Sequence, residues 1–307
     1  MSYPSRVRIV EVGPRDGLQN EAADIRTDVK VHFVDLLTQA GYEWIEVTSF
    51  VHPRAVPRMA DADDVFRAID KRPGVRYVAL VPNPRGLERA IVAGVTDIAL
   101  FVAATESFSR ANINRTIAQS LNDAREVTSE AKPHKVNVRA YISVAFACPY
   151  EGPVTPDAVR GVAERLFNLG VEEVVLGDTI GAATPSDVAR LMDTLLDLAP
   201  VERWGMHFHD TRGIALANIL DSLERGITKF DSSAGGLGGC PFAGPGAAGN
   251  VATEDLVYLL DGLGIQHGVN LEGVLAASRF IVGAVGHPLT SKVYQAGGRP
   301  TTIPAPS

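Results

Sequence analysis

The chain has 307 residues, 46% of them hydrophobic and 21% charged, and a formal net charge of −7. That profile fits a soluble globular protein and argues against a nucleic-acid partner. The two cysteines, Cys148 and Cys240, cannot build a disulfide framework and point to a reducing, cytoplasmic setting. No apolar run is long enough to span a bilayer, and Met1 to Arg8 lacks the apolar core of a signal peptide, so no membrane is expected.

Val7 to Val12 is a short β-branched run that stops at Gly13-Pro14, as a strand does. Thr27 to Ala40 carries apolar residues at helical spacing (Val31, Val34, Leu37, Ala40) and ends before Gly41. The alternation then repeats. Strands are expected at Trp44–Thr48, Val75–Val81, Asp97–Val102, Val136–Ser143, Glu173–Leu176, Trp204–His209 and Lys229–Ser232. Helices fall between them at Ala62–Ile69, Pro84–Ala93, Thr116–Ala131, Pro156–Leu169, Pro185–Leu198 and Ile214–Glu224. Eight strand-then-helix units without a linker predict an α/β fold, a (β/α)8 TIM barrel over about residues 7–249. Extra C-terminal helices follow over about 250–290, with a Gly/Pro/Thr-rich tail at 297–307 expected to be disordered, the whole forming one catalytic domain. A doubly wound sheet is the competing layout, but no G-x-G-x-x-G follows the first strand.

In such a barrel chemistry sits at the C-terminal ends of the strands. Polar residues interrupt the apolar runs there: Arg15 and Asp16 after the first strand, Glu46 and Thr48 on the second, Asp178 after the sixth. His207 and His209 share one face of the seventh, because side chains alternate along a strand. Two neutral imidazoles on one face suit a divalent metal. Each residue also has a structural reading: Asp178 as a turn cap, Glu46 and Arg15 as ion-pair partners, Asn250 as an N-cap. Their convergence on one rim favours function. One carboxylate, two imidazoles and one amide oxygen suit Mg2+ or Mn2+ better than zinc, whose structural sites draw on thiolates. Cys240, in the loop Gly235-Gly236-Leu237-Gly238-Gly239-Cys240, is a candidate for acid/base chemistry in a loop able to close over substrate.

These residues resemble a known family. Glu11-Val12-Gly13-Pro14-Arg15-Asp16-Gly17-Leu18-Gln19-Asn20-Glu21 is similar to the opening signature of the 3-hydroxy-3-methylglutaryl-CoA lyases. So are Cys148-Pro149-Tyr150-Glu151-Gly152, Leu176-Gly177-Asp178-Thr179, His207-Phe208-His209-Asp210-Thr211, Gly238-Gly239-Cys240-Pro241 and Gly249-Asn250-Val251-Ala252-Thr253-Glu254. The resemblance runs from Val7 to about Gln295. It implies a metal held by Asp16, His207, His209 and Asn250, with Arg15 binding substrate and stabilising enolate charge. Cys240 would be the catalytic cysteine, His207 a candidate proton shuttle, and Glu46 and Asp178 supports of the catalytic site. It further implies an acyl-CoA thioester as substrate, a role in leucine degradation and ketone-body formation, and a homo-oligomer, dimer or tetramer. The chain departs from the family pattern at Val175, at Arg212 and in a Cys240–Asn250 loop one residue longer, all expected near the substrate pocket. It also lacks the family's cysteine near the C-terminus, so no thiol switch is expected there.

Two other readings compete. A metal-dependent acyl-CoA condensing enzyme or 2-oxo-acid aldolase would share the barrel and the metal, but the condensing enzymes append a regulatory domain for which this chain ends too soon. A non-catalytic acyl-CoA-binding protein would not need a complete set of metal ligands.

Overall fold

The computed structural model describes residues 3–239 and 248–300. Eight parallel strands close into a barrel: β1 (Arg8–Glu11), β2 (Trp44–Ser49), β3 (Arg76–Leu80), β4 (Asp97–Ala103), β5 (Asn137–Ser143), β8 (Glu173–Asp178), β9 (Trp204–Phe208) and β10 (Lys229–Ser232). Each strand pairs with its sequential neighbour, and β1 closes the ring against β10 with Arg8 beside Lys229 and Glu11 beside Ser232. A small antiparallel hairpin, β6 (Ala147–Cys148) with β7 (Gly152–Pro153), lies between β5 and β8. Its two-residue strands carry too little apolar alternation to be read from sequence.

The helices between strands are α1 (Thr27–Gln39), α2 (Ala62–Ala68), α3 (Pro84–Val92), α4 (Glu106–Ile113), α5 (Ile117–Ala131), α6 (Pro156–Asn168), α7 (Pro185–Leu195) and α8 (Ala215–Glu224). Their starts follow capping chemistry. Asn83 accepts from the Gly86 N–H at 3.0 Å, and Thr116 and Gln119 form a reciprocal capping box before α5. At the other end, Gly170 follows α6 with φ +87°, a left-handed turn that glycine adopts without steric cost. Helix α4 was not expected: only Phe108 and Ser109 of its eight residues are buried, so it has little helical apolar period. Helix α7 stops at Leu195 rather than Leu198.

Beyond the barrel come α9 (Thr253–Gly262), α10 (Leu271–Val285) and the short α11 (Lys292–Gln295), the last not foreseen. The first of these starts at Thr253, not at Asn250, and its capping position is Ala252. Asn250 is drawn instead into a bridge with His209, so the N-cap reading of Asn250 fails. The expected disorder of the tail falls, from 301 on, outside the described residues.

The barrel interior is plugged by Val78, Leu80, Ala99, Tyr141 and Val175, all buried. Val175 therefore belongs to this plug beneath the rim. The larger apolar core lies between strands and helices and continues into α9 and α10. Among the described residues, no helix is long and apolar enough to cross a membrane.

Candidate metal centre and active site

Strand β1 delivers its polar residues through a single wide turn, Gly13–Gly17, in which the N–H groups of Arg15, Asp16 and Gly17 all point at the Val12 carbonyl (3.2, 2.7 and 3.1 Å). Such π-type turns often sit at functional positions. This one places Arg15 and Asp16, both buried, on the inner rim. His207 is on β9. His209 lies just past the strand, fixed by the 249–251 segment: the Val251 N–H donates to the Phe208 carbonyl (3.0 Å) and the Asp210 N–H to that of Gly249 (2.8 Å).

Asp16, His207 and His209 converge. Their candidate ligand atoms all lie within 4.8 Å of one another, and all three residues are buried. The Asp16 Oδ2 is 3.8 Å from His207 Nε2 and 3.6 Å from His209 Nε2. Those separations exceed ordinary hydrogen bonds and suit ligands around one cation held at roughly 2.0–2.3 Å from each. A carboxylate oxygen and two imidazoles, shielded from water, fit a divalent metal.

Asn250 also reaches the centre, but through its nitrogen: Nδ2 donates to Asp16 Oδ2 (2.8 Å) and to the Leu237 carbonyl (3.1 Å). Ligation by its oxygen, as the sequence suggests, requires the amide turned over.

Arg15 is locked between carboxylates. Its Nε donates to Glu46 and its Nη1 to Asp16 Oδ1 at 2.5 Å. Glu46, fully buried, accepts in turn from the Tyr141 hydroxyl at 2.6 Å. Burial works against the Arg15 charge, but Glu46 and Asp16 outweigh it and hold the guanidinium firmly protonated. For Asp16, burial works upward and is overcome by the Arg15 charge and both histidines, which keeps its carboxyl well below the usual range. An ionised Asp16 is what a metal ligand requires.

Asp178 takes the turn-capping role: its two oxygens accept from the N–H groups of Ala182 (2.9 Å) and Ala183 (3.0 Å). Burial still raises its pKa above the ordinary value. Arg212 spends its guanidinium on the carbonyls of Ile180 and Gly181, both at 2.8 Å, tying the loops after β8 and β9 together. Cys240 lies outside the described residues, as does most of its loop. The described flanks meet closely: a Cβ on Gly249 would fall 1.7 Å from the Gly238 carbonyl oxygen, so neither flank has room for a side chain at that contact. Cys148 is buried in the hairpin, 3.2 Å from the Thr105 hydroxyl.

Several residues around the centre escaped sequence reasoning. Tyr141 packs edge-on against the His207 ring at 5.7 Å, with the Arg15 guanidinium 5.7 Å from the face of its ring. Asp231 stands beside His207, and Glu11 and Glu254 hold the backbone that leads into the glycine loop: Glu11 accepts from the Ala234 N–H (2.9 Å), Glu254 from that of Gly235. Each is a polar residue inside a strand or helix, and that was the only signal available.

A family model described as HMGL-like matches residues 6–281. The chain belongs to the HMGL-like family. It is 48% identical over 295 residues to hydroxymethylglutaryl-CoA lyase YngG of Bacillus subtilis, covering 96% of this chain and 98% of that one. It is 50% identical over 293 residues to the cytoplasmic 3-hydroxy-3-methylglutaryl-CoA lyase of Homo sapiens, covering 95% of this chain and 79% of that one. A hydroxymethylglutaryl-CoA lyase structure from Pseudomonas aeruginosa superposes with a TM-score of 0.94 at 49% identity, covering 96% of this chain and 98% of that chain. The Pseudomonas aeruginosa structure shares both the barrel and its length.

Proposed function

We propose that this protein is a hydroxymethylglutaryl-CoA lyase, which splits 3-hydroxy-3-methylglutaryl-CoA into acetyl-CoA and acetoacetate. One observation carries the reading: a chain close to half identical to such lyases over 96% of its length also brings Arg15, Asp16, His207 and His209 to one buried rim. A solved HMG-CoA lyase from Acinetobacter baumannii, 36% identical, holds coenzyme A and 3-methylmalate, which supports an acyl-CoA thioester as substrate.

A divalent ion at Asp16, His207 and His209, Mg2+ or Mn2+ by the character of its ligands and with Asn250 as a fourth, would lower the pKa of the substrate's tertiary hydroxyl and polarise the emerging ketone. A base takes that hydroxyl proton, the oxygen's electron pair closes the ketone carbonyl, and the pair of the broken carbon–carbon bond passes into the thioester as an enolate. Arg15 faces this charge with a guanidinium that stays protonated throughout, an effect worth a few kcal/mol when the donor is well placed. Glu46, itself held by Tyr141, keeps Arg15 from swinging out of line. Cys240 then protonates the enolate carbon to give acetyl-CoA, while Asp178 supports the site by shaping the turn after β8.

The same reading takes the chain as one domain, supported by an apolar core that runs from Val7 to Leu289. It also takes the protein as cytoplasmic, on its low cysteine count.

A coupled assay of acetyl-CoA release across 3-hydroxy-3-alkylglutaryl-CoA thioesters tests the function. The methyl substrate should give the highest kcat/KM. No release from any member of the panel, with Mg2+ or Mn2+ present, would overturn the reading.

A further inference from the structure

The two imidazoles that face Asp16 are held differently on their far sides. His209 Nδ1 is buried with no hydrogen-bond partner among the described residues. His207 Nδ1 lies 3.2 Å from Asp231 Oδ2. Asp231 comes from β10, in register beside His207, and is 2% exposed. Its second oxygen, Oδ1, accepts from Arg139 Nη2 at 2.9 Å. Arg139 reaches it from β5 and is also buried.

We propose that Asp231, held by Arg139, is a positioning residue for the metal: it fixes His207 with its proton on Nδ1 and so presents a bare Nε2 to the ion. The inference rests on the metal reading above. Arginine has no acceptor, so Asp231 Oδ1 must accept, and a carboxylate held ionised by a guanidinium can only accept on its other oxygen too. The hydrogen between Asp231 and His207 therefore belongs to the imidazole. In the neutral ring this leaves Nε2 without a proton, on the side facing Asp16. A carboxylate behind a ligating histidine also raises the basicity of the ligating nitrogen. His209 has no such backing, so His207 is the firmer ligand of the two. With Nδ1–H held by Asp231, a His207 whose Nε2 was given to the ion would have no nitrogen left for the proton shuttling that the sequence allowed.

Only a carboxylate satisfies both neighbours. In Asp231→Asn the amide must offer its NH2 group to one of them. If the oxygen stays with Arg139, the NH2 faces His207 Nδ1 and drives the imidazole proton to Nε2, where it blocks the ion. If the amide turned over, its NH2 would meet the Arg139 donors with no acceptor between them, so the first arrangement is the one the site favours.

The test reads the tautomer and the metal separately. In long-range 1H–15N spectra of 15N-histidine-labelled, metal-free wild type, recorded at a pH high enough that the His207 ring is neutral, His207 should show a protonated Nδ1 and a bare Nε2. Asp231→Asn should reverse that pattern at His207, leave His209 unchanged, and weaken Mn2+ binding by roughly 10–100-fold in a titration of free Mn2+ by EPR. Arg139→Lys, which keeps the charge and loses the planar fork, should weaken it less. A wild-type His207 carrying its proton on Nε2 would overturn the proposal, even if Asp231→Asn does not fold. So would Asp231→Asn with Mn2+ affinity within twofold of wild type, or with weaker binding but an unchanged tautomer. Failure of the wild type to bind Mn2+ at all would instead count against the metal reading, since the tautomer is measured without the ion.

Discussion

The two ends of the barrel use the same residue types to opposite effect. At the N-terminal end Glu173 is met by three cations, the Arg8 guanidinium, Lys229 Nζ at 2.7 Å and Arg139 Nη2 at 3.2 Å, while Arg76 pairs with Asp97 at 3.0 Å. Arg8 and Arg76 also stack on Trp44, 4.0 and 4.8 Å from its ring. Glu173 and Asp97, the two buried carboxylates lining a cavity of about 210 Å3 there, are both already held by fixed cations. At the C-terminal end Asp16 has one permanent cation, Arg15, and faces two imidazoles across gaps too wide for hydrogen bonds. Charge matched by side chains makes structure, and charge left partly unmatched makes a binding site. The difference lies in distance and partner count, not in residue identity.

That contrast can be broken at the C-terminal end first. His209→Ala removes one of three converging ligands, so Mn2+ affinity should fall at least tenfold and kcat by three orders of magnitude or more, read by metal titration and acetyl-CoA release. Near-wild-type kcat would place the ion elsewhere. Arg15→Lys keeps a charge but loses the fork that Glu46 and Asp16 hold, so kcat should drop about 100-fold with the Mn2+ affinity nearly intact. If turnover stays high, Arg15 only holds the rim together.

At the opposite end the effects should be smaller and confined to stability. Arg8→Met leaves Glu173 with two cations and keeps an apolar surface on Trp44. Denaturant melts should show a loss of at most about 2 kcal/mol, with kcat unchanged. A hundredfold loss of kcat there would mean that the two ends are not separable.

The smallest effect concerns the carboxyls that hold the backbone before the glycine loop. Burial pushes Glu11 and Glu254 each up to about 7, from an ordinary 4.5. The folded chain then keeps protons that the unfolded chain has lost between about pH 4.5 and pH 7. Their contribution is most favourable below pH 4.5 and is eroded as pH rises to 7. Asp231 opposes this, since Arg139 and His207 outweigh burial and hold it at about 2, giving stability that is lost only as pH falls through that value. Glu254→Gln should therefore flatten the decline of the melting temperature between pH 5 and pH 7.5. A wild type with no such decline would contradict these shifts.

The barrel strands were legible because apolar β-branched runs such as Ile9-Val10 and Val174-Val175-Leu176 have few other ways to be buried, and each barrel strand lies within a residue or two of its expected place. What escaped was local: α4 buries almost nothing, the Ala147–Pro153 hairpin is too short to show alternation, and the turn at Gly13–Gly17 is set by one carbonyl gathering three N–H groups. In the site, Asp16, His207 and His209 could be found because polar residues at strand ends stand out. Asn250 was placed at the right rim, but its structural alternative was misjudged, because pairing with His209 overrides helix capping. Asp231 and Tyr141 stayed hidden, because their partners come from strands far away in sequence. Asp231 meets Arg139 across 92 residues and Tyr141 meets Glu46 across 95.

The most direct test of the contrast between the two ends is anomalous diffraction from crystals equilibrated with Mn2+. One peak should appear, roughly 2–2.3 Å from Asp16, His207 and His209, and none at the N-terminal end among Glu173, Asp97 and their cations. A peak at Glu173 or Asp97, or no peak beside the two histidines, would contradict it.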